Sequence, residues 1–509
     1  MESESSKKAR AVFMAFGTKG DVLPISAIAA CFAIDQLQYQ VFLITHSSHQ
    51  NLIPHLAAKS VSFLPVSSPP VVSAYQDHST SESVEISFSM QKKIITKEHR
   101  NECLDVMGRI FGDGPSMEDD FIVINFFALE GWSLAELFRV RCVVAAPYVV
   151  PYSAPSSFER QFKKDIPLLF NYLQLVPPHK VCWNDVIHWM WPLFTEDWGS
   201  WRSELNLSPC PFMDPVTGLP TSHDWVQSPM LLYGFSKEVV ECPGCLFYQF
   251  FTICGIICYV LLTEGNNRDL SIQFSERYLH PKDELCSTHM DLQCFLMTST
   301  SDVPIFIGFS SVGSMGFLRN SRAFLLVLQA VIQITNYRFI LFTAGYEPLD
   351  SAIQMLAEAL SCFDRKICSE DGVLFWDRLF CFSGTIPYNW LFQRCAVVVH
   401  HGGSGSTAAA LHTGLPQVIC PFLLDQFYWA ERMFWLGVAP EPLDKYLLFP
   451  DKDDDTDIWK AANVLTNALN SALSPEIKAC ASEISERIVS EDGVGEAVNA
   501  IKEEMKCQS

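Results

Sequence analysis

Two separate series of apolar runs, each alternating with helix-compatible segments, constrain the fold of this chain more than any other feature. The first series opens with "AVFMAFGTKGDVLPISAIAACFA", an apolar run followed by a glycine-containing turn and helical spacing, and continues with the strand-like "YQVFLITHSS". Strand, helix and strand in this order make a βαβ unit, whose strands are parallel. The second series begins at "VPIFIGFSS" and runs through "CAVVVHHGGSGSTAAALHTG". We therefore predict an α/β protein with two Rossmann-like halves.

The length of the chain agrees with two domains, because 509 residues exceed what one hydrophobic core usually organises. We expect one Rossmann-like domain over residues 1–235 and a second over residues 303–470. Residues 236–302 show no repeated strand and helix pattern and are predicted to form a linker with an apolar segment. The helices predicted in residues 471–509 are expected to pack back toward the N-terminal domain.

The charge balance narrows the class of partners. The chain has 57 acidic and 36 basic residues, a net charge of −21, which repels nucleic acid over most of the surface. We therefore expect no nucleic-acid partner. Most of the 18 cysteines stand singly in apolar runs, where a thiol behaves as a small hydrophobic group, and the polar start "MESESSKKAR" has no signal-peptide core. These features favour a reducing, cytoplasmic compartment.

One apolar segment raises the question of a membrane. "LFYQFFTICGIICYVLL", residues 246–262, is shorter than the roughly 20 residues that a bilayer crossing needs, so a buried or interfacial segment is predicted. Peripheral contact with a membrane stays open as an alternative. The cysteines at 242, 245, 254 and 258 have a spacing compatible with zinc, but half of them lie in this apolar run. Buried thiols are the better interpretation, and no metal site is predicted.

The stretch "VHHGGSGST", residues 399–407, has the features of an anion site. It joins a β-branched strand to an alanine-rich helix, so its glycines occupy a strand-to-helix turn. At such a turn the free amides and the positive end of the helix dipole converge, and the glycines let a phosphate approach the backbone. A Walker-type loop is excluded, because no lysine follows the glycines.

A dinucleotide site is harder to exclude. Gly403, Gly405 and Ala408 satisfy G-x-G-x-x-A, and Asp425 follows about 20 residues later, as that fingerprint requires. Against it, the turn lies in the second α/β series and Asp425 is followed by Gln426, a polar pair that could instead hold sugar hydroxyls. Both interpretations remain open on these residues alone.

A resemblance favours the second interpretation. The segment "VVHHGGSGSTAAALHTGLPQVICPFLLDQFYWAERMFWLGVAPEPL" resembles the donor-binding segment of the UDP-glycosyltransferases of the GT-B fold, most closely the sterol 3β-glucosyltransferase group. "FGTKGDVLP", "GTIPYNWLFQRC", "LLYGFSKEVVECP" and "PIFIGFSSVGS" resemble further landmarks of that group, in order along the chain. The resemblance implies two doubly wound domains facing a central cleft, with the acceptor bound by the first domain and the UDP-sugar by the second.

The resemblance also implies roles for individual residues. It predicts an inverting transfer of glucose from UDP-glucose, the co-substrate, to a lipophilic hydroxyl acceptor, with no cofactor and no metal. The catalytic base would be Asp21, on the loop after the first strand; a helix N-cap or turn carboxylate is the alternative. The donor residues would be Ser311, Trp390, His401, Gly403, Ser404, Gly405, Ser406, Thr407, Asp425 and Gln426.

The acceptor is expected to be a sterol or related alcohol. Five tryptophans between Trp183 and Trp201 are typical of a cleft for a flat apolar ligand, although packing in a large core explains them equally well. The residues expected to line this site are Gly17, Thr18, His46 and Trp189. For His46, a hydrogen-bonded polar residue at a strand end is the alternative that we favour.

Some residues depart from the family pattern. Ser310 stands where a glycine is usual, and Leu423 and Leu424 replace a phenylalanine and glycine pair. Either change could slow turnover, because glycine is often needed where a backbone approaches a ligand closely. Two other functions therefore stay open: a nucleotide-dependent oxidoreductase using "GSGSTA", and a binding protein that has lost turnover.

Overall fold

The protein is described here by a computed structural model, in two compact units. Among the described residues, those from 8 to 252 and from Glu491 onward belong to the first unit, and those from 287 to 490 to the second. The described residues are 8–70, 88–112, 119–125, 127–145, 198–207, 230–234, 236, 238–239, 250–252, 287–297, 302–309, 312–313, 316–361, 373–384, 386, 388–423 and 425–506.

The first unit is built on a parallel sheet. Its strands are β1 (Ala9–Met14), β2 (Tyr39–His46), β3 (Val61–Val66), β4 (Phe121–Asn125), β5 (Arg141–Ala145), β6 (Met230–Tyr233) and β7 (Phe250–Thr252). They lie in the order β3-β2-β1-β4-β5-β6-β7, and each neighbouring pair is parallel. Strands β1 and β4 are buried along their whole length, as expected for a parallel sheet covered on both faces.

Helices connect these strands. They are α1 (Lys19–Asp35), α2 (Ile53–Ala57), α3 (Phe88–Phe111), α4 (Glu130–Phe138) and α5 (Trp198–Glu204), with a 3₁₀ helix at Ser47–Leu52. Since the chain moves outward from β1 through β2 to β3 and then returns to place β4 on the other side of β1, the sheet has a switch point between β1 and β4. Ligands of such sheets bind beyond the carboxyl ends of the strands at this point.

The second unit repeats the plan. Its strands are β8 (Ile305–Gly308), β9 (Phe339–Phe342), β10 (Val373–Leu374), β11 (Leu379–Phe382), β12 (Val397–His400) and β13 (Gln417–Ile419), in the order β10-β11-β9-β8-β12-β13. Only β10 is antiparallel to its neighbour among these described strands. Five strands, β11-β9-β8-β12-β13, therefore have the order of β3-β2-β1-β4-β5, and the switch point lies between β8 and β12. The predicted α/β fold with two Rossmann-like halves is confirmed.

The helices of the second unit surround this sheet. They are α6 (Ser287–Met297), α7 (Ser321–Ile334), α8 (Glu347–Ser361), α9 (Tyr388–Phe392), α10 (Ser404–His412), α11 (Gln426–Trp435), α12 (Lys445–Leu448), α13 (Asp455–Ala472) and α14 (Pro475–Ile488). The amphipathic helices α7 and α13 pack against each other and bury residues of one core with β8 and β9.

The C-terminal helices belong to different units. We expected residues 471–509 to pack back toward the N-terminal domain, but α14 packs on α10 in the second unit, where Ser485 Oγ donates a hydrogen bond to the carbonyl of His412 at 2.5 Å. The last helix, α15 (Gly493–Lys506), belongs to the first unit and packs on α1. There Lys502 Nζ lies 2.6 Å from Asp35 Oδ2.

Much of the predicted linker, 236–302, lies outside the described residues, so the boundaries expected at 235 and 302 stay predictions. The same holds for the apolar segment 246–262 apart from β7, and for the four cysteines of that region. Among the helices that are described, none combines the length and the apolar character needed to cross a membrane.

Candidate active site

The turn after β1 is fixed by side chains from elsewhere in the first unit. Asn125, the last residue of β4, accepts a hydrogen bond from the N–H of Phe16 at 3.1 Å and donates one to the carbonyl of Phe16 at 2.8 Å. It also donates to the carbonyl of Asp21 at 3.2 Å. Because β1 and β4 flank the switch point, this turn lies where a Rossmann-like sheet places its ligands.

Asp21 lies in the first turn of α1 rather than on a loop. Its Oδ2 accepts hydrogen bonds from the N–H of Thr18 at 2.7 Å and from the Thr18 hydroxyl at 2.8 Å, while no described residue donates to Oδ1. Burial raises the pKa of Asp21 to about 6, against the lowering effect of the bonds from Thr18. The N-cap of α1 is Thr18, so one carboxylate oxygen of Asp21 serves the turn without being the N-cap, and the other can still accept a proton.

The backbone at Gly17 requires glycine. Its φ is +104°, and a Cβ there would lie 2.6 Å from Asp21 Oδ2. The Gly17 N–H donates to Nε2 of His46 at 3.1 Å, and the Gly17 carbonyl accepts from Nε2 of His49 at 3.1 Å. His46 is 5% exposed, and burial lowers its pKa to about 4. The structure therefore places His46 as a buried, hydrogen-bonded residue, the alternative favoured from the sequence.

The glycine turn in the second unit is held by a histidine as well. The Gly402 N–H donates to Nδ1 of His400 at 3.1 Å, so the ring proton lies on Nε2, which donates to Gln417 Oε1 at 2.8 Å. Burial lowers the pKa of His400 to about 3, which keeps the ring neutral. Gly402 has φ +86°, and a Cβ would lie 3.0 Å from the carbonyl oxygen of Gln426. This backbone also requires glycine.

The start of α10 has room for an anion. Its N-cap is Gly403, and no side chain among the described residues caps it. A Cβ on Gly405 would have no heavy atom within 4 Å, whereas one on Gly403 would lie 2.5 Å from His401 Nε2. The first amides of the helix have no acceptor within the helix itself. With the Cβ position of Gly405 open as well, these amides are suited to bind phosphate oxygens.

The side chains around the start of α10 differ in burial and in hydrogen bonding. Burial lowers the pKa of His401 to about 4, although a hydrogen bond with the backbone of Gly308 raises it, so the ring is neutral near pH 7. Ser406 hydrogen-bonds to Tyr388, whose pKa burial raises to about 12. Thr407 is only 2% exposed, and its hydroxyl oxygen is buried without a hydrogen-bond partner among the described residues. A contribution of the Ser406 and Thr407 hydroxyls to donor binding, which the resemblance implies, stays a prediction.

The predicted sugar-binding pair, Asp425 and Gln426, makes hydrogen bonds within its own segment of the chain. Trp429 Nε1 donates to Asp425 Oδ2 at 3.0 Å, one turn along α11. Oε1 of Gln426 accepts from the N–H groups of Phe422 at 2.9 Å and Leu423 at 3.2 Å. Gln426 is 7% exposed, and its side-chain NH₂ group remains as a donor. Contact of this pair with a sugar stays a prediction.

Of the remaining residues singled out from the sequence, some are described and some are not. Trp390 lies on α9 half-buried, with the guanidinium of Arg394 4.3 Å above its ring and donating to its carbonyl at 2.6 Å. Ser310, Ser311 and Trp189 lie outside the described residues. Within the part of the chain that is described, no group of three or more His, Cys, Asp and Glu side chains could hold a metal ion.

Several supporting residues were missed from the sequence: His49, Asn125, Tyr388, His400 and Gln417. The pair of adjacent histidines was a signal, but only His401 was given a role. The position of His400 as the last residue of a buried strand could have identified it as a support, because its neighbour His401 begins the turn.

Several known proteins are similar to this chain in sequence. Residues 378–500, which include the glycine turn, match the family described as erythromycin biosynthesis protein CIII-like, C-terminal domain. The sterol 3-beta-glucosyltransferase UGT80B1 of Arabidopsis thaliana is 23% identical over 97% of this chain and 68% of its own length. A second enzyme of that name and plant, UGT80A2, is 39% identical over 115 residues, 23% of this chain and 16% of its own length.

Solved structures agree in fold. A UDP-glucosyltransferase from Polygonum tinctorium, capable of glucosylating indoxyl, superposes with a TM-score of 0.55 over 99% of both chains at 13% identity. At this identity the likeness shows the fold, which is GT-B. The chain therefore has the GT-B fold and is similar in sequence, over nearly its full length, to a sterol 3-beta-glucosyltransferase.

Proposed function

We propose that the protein transfers glucose from UDP-glucose to the hydroxyl group of a sterol or related lipophilic alcohol, with inversion at the anomeric carbon. The observation that carries this proposal is the uncapped, glycine-rich start of α10, which lies inside residues 378–500, the segment that matches the family model. An anion site of this kind suits a diphosphate, and the similar sterol 3-beta-glucosyltransferases are named for the transfer of glucose to sterols.

The second unit would bind the donor. The amides at the start of α10 and the positive end of its dipole would stabilise the negative charge that develops on the diphosphate as it leaves. His401 is neutral near pH 7 and would contribute a hydrogen bond rather than a charge. Asp425 and Gln426 would contact glucose hydroxyls, and Trp390 would border the uracil. This set of donors needs no metal to be complete.

The first unit would supply the base. A sterol hydroxyl is a weak nucleophile, so a carboxylate must take its proton as the oxygen attacks the anomeric carbon. With a pKa of about 6, Asp21 is ionised at pH 7 yet basic enough to accept that proton. The new bond joins the sterol oxygen to the anomeric carbon, the bond from that carbon to the UDP oxygen breaks, and UDP leaves with the bonding electrons. One displacement of this kind gives a β-glucoside.

The lipophilic acceptor also bears on location. We propose a cytoplasmic protein that meets its acceptor at a membrane surface by peripheral contact. The compartment rests on the cysteine usage, and the contact rests on the low solubility of sterols in water.

The decisive experiment incubates the purified chain with UDP-glucose and a panel of sterols, flavonoids and small phenols, and identifies products by mass. We expect a gain of one hexose on sterols, and its loss in Asp21→Asn. Binding of UDP without transfer to any acceptor would instead identify a protein that has lost turnover. Tight binding of NAD without UDP binding would restore the oxidoreductase alternative.

A further inference from the structure

A series of hydrogen-bonded, buried polar side chains contacts the turn that carries Asp21. It begins at His46, whose Nε2 accepts the Gly17 N–H. A backbone N–H can only donate, so Nε2 is unprotonated and the ring proton of His46 lies on Nδ1. That nitrogen lies 3.2 Å from Ser68 Oγ and donates to it. The tautomer of His46 is thus set from both sides.

Ser68 connects His46 to His99 on α3. Its Oγ lies 2.8 Å from Nδ1 of His99, and Nε2 of His99 lies 3.8 Å from Oε2 of Glu130. Arg100 holds the other oxygen of Glu130 at 3.4 Å. If His99 carries one proton, on the Nε2 that faces Glu130, Ser68 donates to its Nδ1; if His99 carries a proton on Nδ1, Ser68 accepts from both rings. In either state the Ser68 oxygen accepts from His46, and Nε2 of His46 keeps its lone pair toward Gly17.

Packing fixes the rings in place. The Phe16 ring lies against both imidazoles, with its centroid 4.9 Å from that of His46 and 4.5 Å from that of His99. His46, Ser68 and Glu130 are all buried. Since side chains held by both packing and hydrogen bonds lose little further freedom, they define the position of whatever they contact.

What they contact is the peptide next to the proposed base. The N–H of Gly17 is held by His46 and its carbonyl by His49, so the peptide groups on both sides of the Gly17 Cα are fixed. The next residue, Thr18, donates twice to Asp21 Oδ2. The orientation of the carboxylate is therefore linked through Thr18 and Gly17 to the histidines.

We infer that His46, supported by Ser68, His99 and Glu130, is a positioning residue for Asp21, acting through the Gly17 peptide without touching the substrate. The inference rests on the proposed function for its kinetic part, since Asp21 is the proposed base. It assigns a use to a group of buried ionisable side chains that donor binding and proton transfer do not themselves employ.

The test compares His46→Ala with His46→Gln, because a glutamine oxygen can occupy the place of Nε2 and accept the Gly17 N–H. We expect kcat for cholesterol glucosylation to fall about 10- to 100-fold in His46→Ala, the size of effect that a slightly misplaced catalytic group produces. The KM for UDP-glucose should stay within about twofold, because donor binding is separate from the base. His46→Gln should recover most of kcat.

Matched variants make the result decisive. His55→Ala, which removes a histidine of the same unit on α2, should leave kcat unchanged. Equal rates in His46→Gln and His46→Ala, or an unchanged kcat in His46→Ala, would overturn the inference. Should His46→Ala fail to fold, Ser68→Ala replaces it: a folded variant with reduced kcat supports the inference, and one with the wild-type kcat overturns it.

A second measurement separates this inference from the proposed function. Hydrogen exchange of the peptide spanning Phe16 to Asp21 can be followed by mass spectrometry even if no acceptor is ever glucosylated. Faster exchange at Gly17 in His46→Ala than in His46→Gln would support the positioning link in an inactive protein. Exchange that is the same in both variants would overturn it, whatever the activity.

Discussion

The turn after β1 and the turn after β12 share one design and use it differently. In each, a glycine with positive φ follows the strand, at +104° in Gly17 and +86° in Gly402. In each, the N–H of that glycine donates at 3.1 Å to a buried, neutral histidine, His46 or His400. A helix then begins within a few residues, at a switch point of the sheet.

The difference lies in the first amides of the helix. In the first unit, Thr18 and Asp21 form a capping box at the start of α1: the carboxylate of Asp21 accepts two hydrogen bonds from Thr18, and the Thr18 side chain pairs with the N–H of Asp21. In the second unit, no described side chain caps α10 at Gly403. The same turn can therefore orient a carboxylate when it is capped, or leave amides available to an anion when it is not.

The largest effect is expected from Asp21→Asn. An amide cannot take a proton from the acceptor hydroxyl, so kcat should fall by about 10²- to 10⁴-fold, the usual contribution of a general base. The affinity for UDP, measured by calorimetry, should stay as in the wild type. The carboxylate lies in the turn after β1, whereas UDP binding is proposed for the turn after β12. A loss of UDP affinity would break the proposed division of roles.

The two positive-φ glycines form the next test. Gly17→Ala places a methyl group against Oδ2 of Asp21, and Gly402→Ala places one against the Gln426 carbonyl and Ile419. Each left-handed residue also costs about 1–2 kcal/mol of strain. We expect Gly17→Ala to lower kcat with little change in UDP affinity, and Gly402→Ala to raise the Kd for UDP about tenfold or more, in line with a disturbed anion site. The same kinetic change in both variants would contradict the comparison.

Dependence on pH should also separate the turns. Asp21 must be deprotonated to act, and its pKa is raised to about 6, so activity is present above pH 6 and lost as the pH falls through it. We expect kcat/KM to rise roughly tenfold between pH 5 and pH 7. His400 and His401 have pKa values lowered to about 3 and about 4, so binding of UDP-glucose should stay level over this range. A binding curve that follows the rate would reject this assignment.

The smallest effect is expected at Gly405. A methyl group there meets no atom within 4 Å, so Gly405→Ala should leave the melting temperature unchanged, yet it would enter the space proposed for the diphosphate. We predict a few-fold weaker UDP binding, measured by calorimetry. Gly108→Ala in α3, where a methyl group also meets nothing, is the matched control and should leave UDP affinity unchanged. Unaltered affinity in Gly405→Ala would place the anion elsewhere.

The sequence predicted local structure well where the signal is local. The β-branched run before the glycines and the alanines after them predicted a strand and a helix, and these are β12 and α10. The order of such segments also predicted the two halves of the fold. Periodicity, glycine and helix propensity act within a few residues, so they can be read from one stretch of chain.

Side-chain partners could not be predicted in this way. His46 lies 29 residues from Gly17 along the chain, and Ser68 lies 31 residues from His99. Such pairs form only after β1, β2 and α3 have packed, and no local pattern records their register. The bonds of Asp425 to Trp429 and of Gln426 to the loop before it were not predicted either, although both residues were singled out from the sequence as a polar pair.

The packing of α15 on α1 has a consequence for biosynthesis. The helix whose Lys502 pairs with Asp35 is translated after every residue of the second unit. Domains usually fold one after another from the N-terminus as they leave the ribosome. Here the nascent first unit lacks α15 until the whole second unit has been synthesised, so one face of α1 stays uncovered during that time. The half of the protein that is made first is therefore completed last.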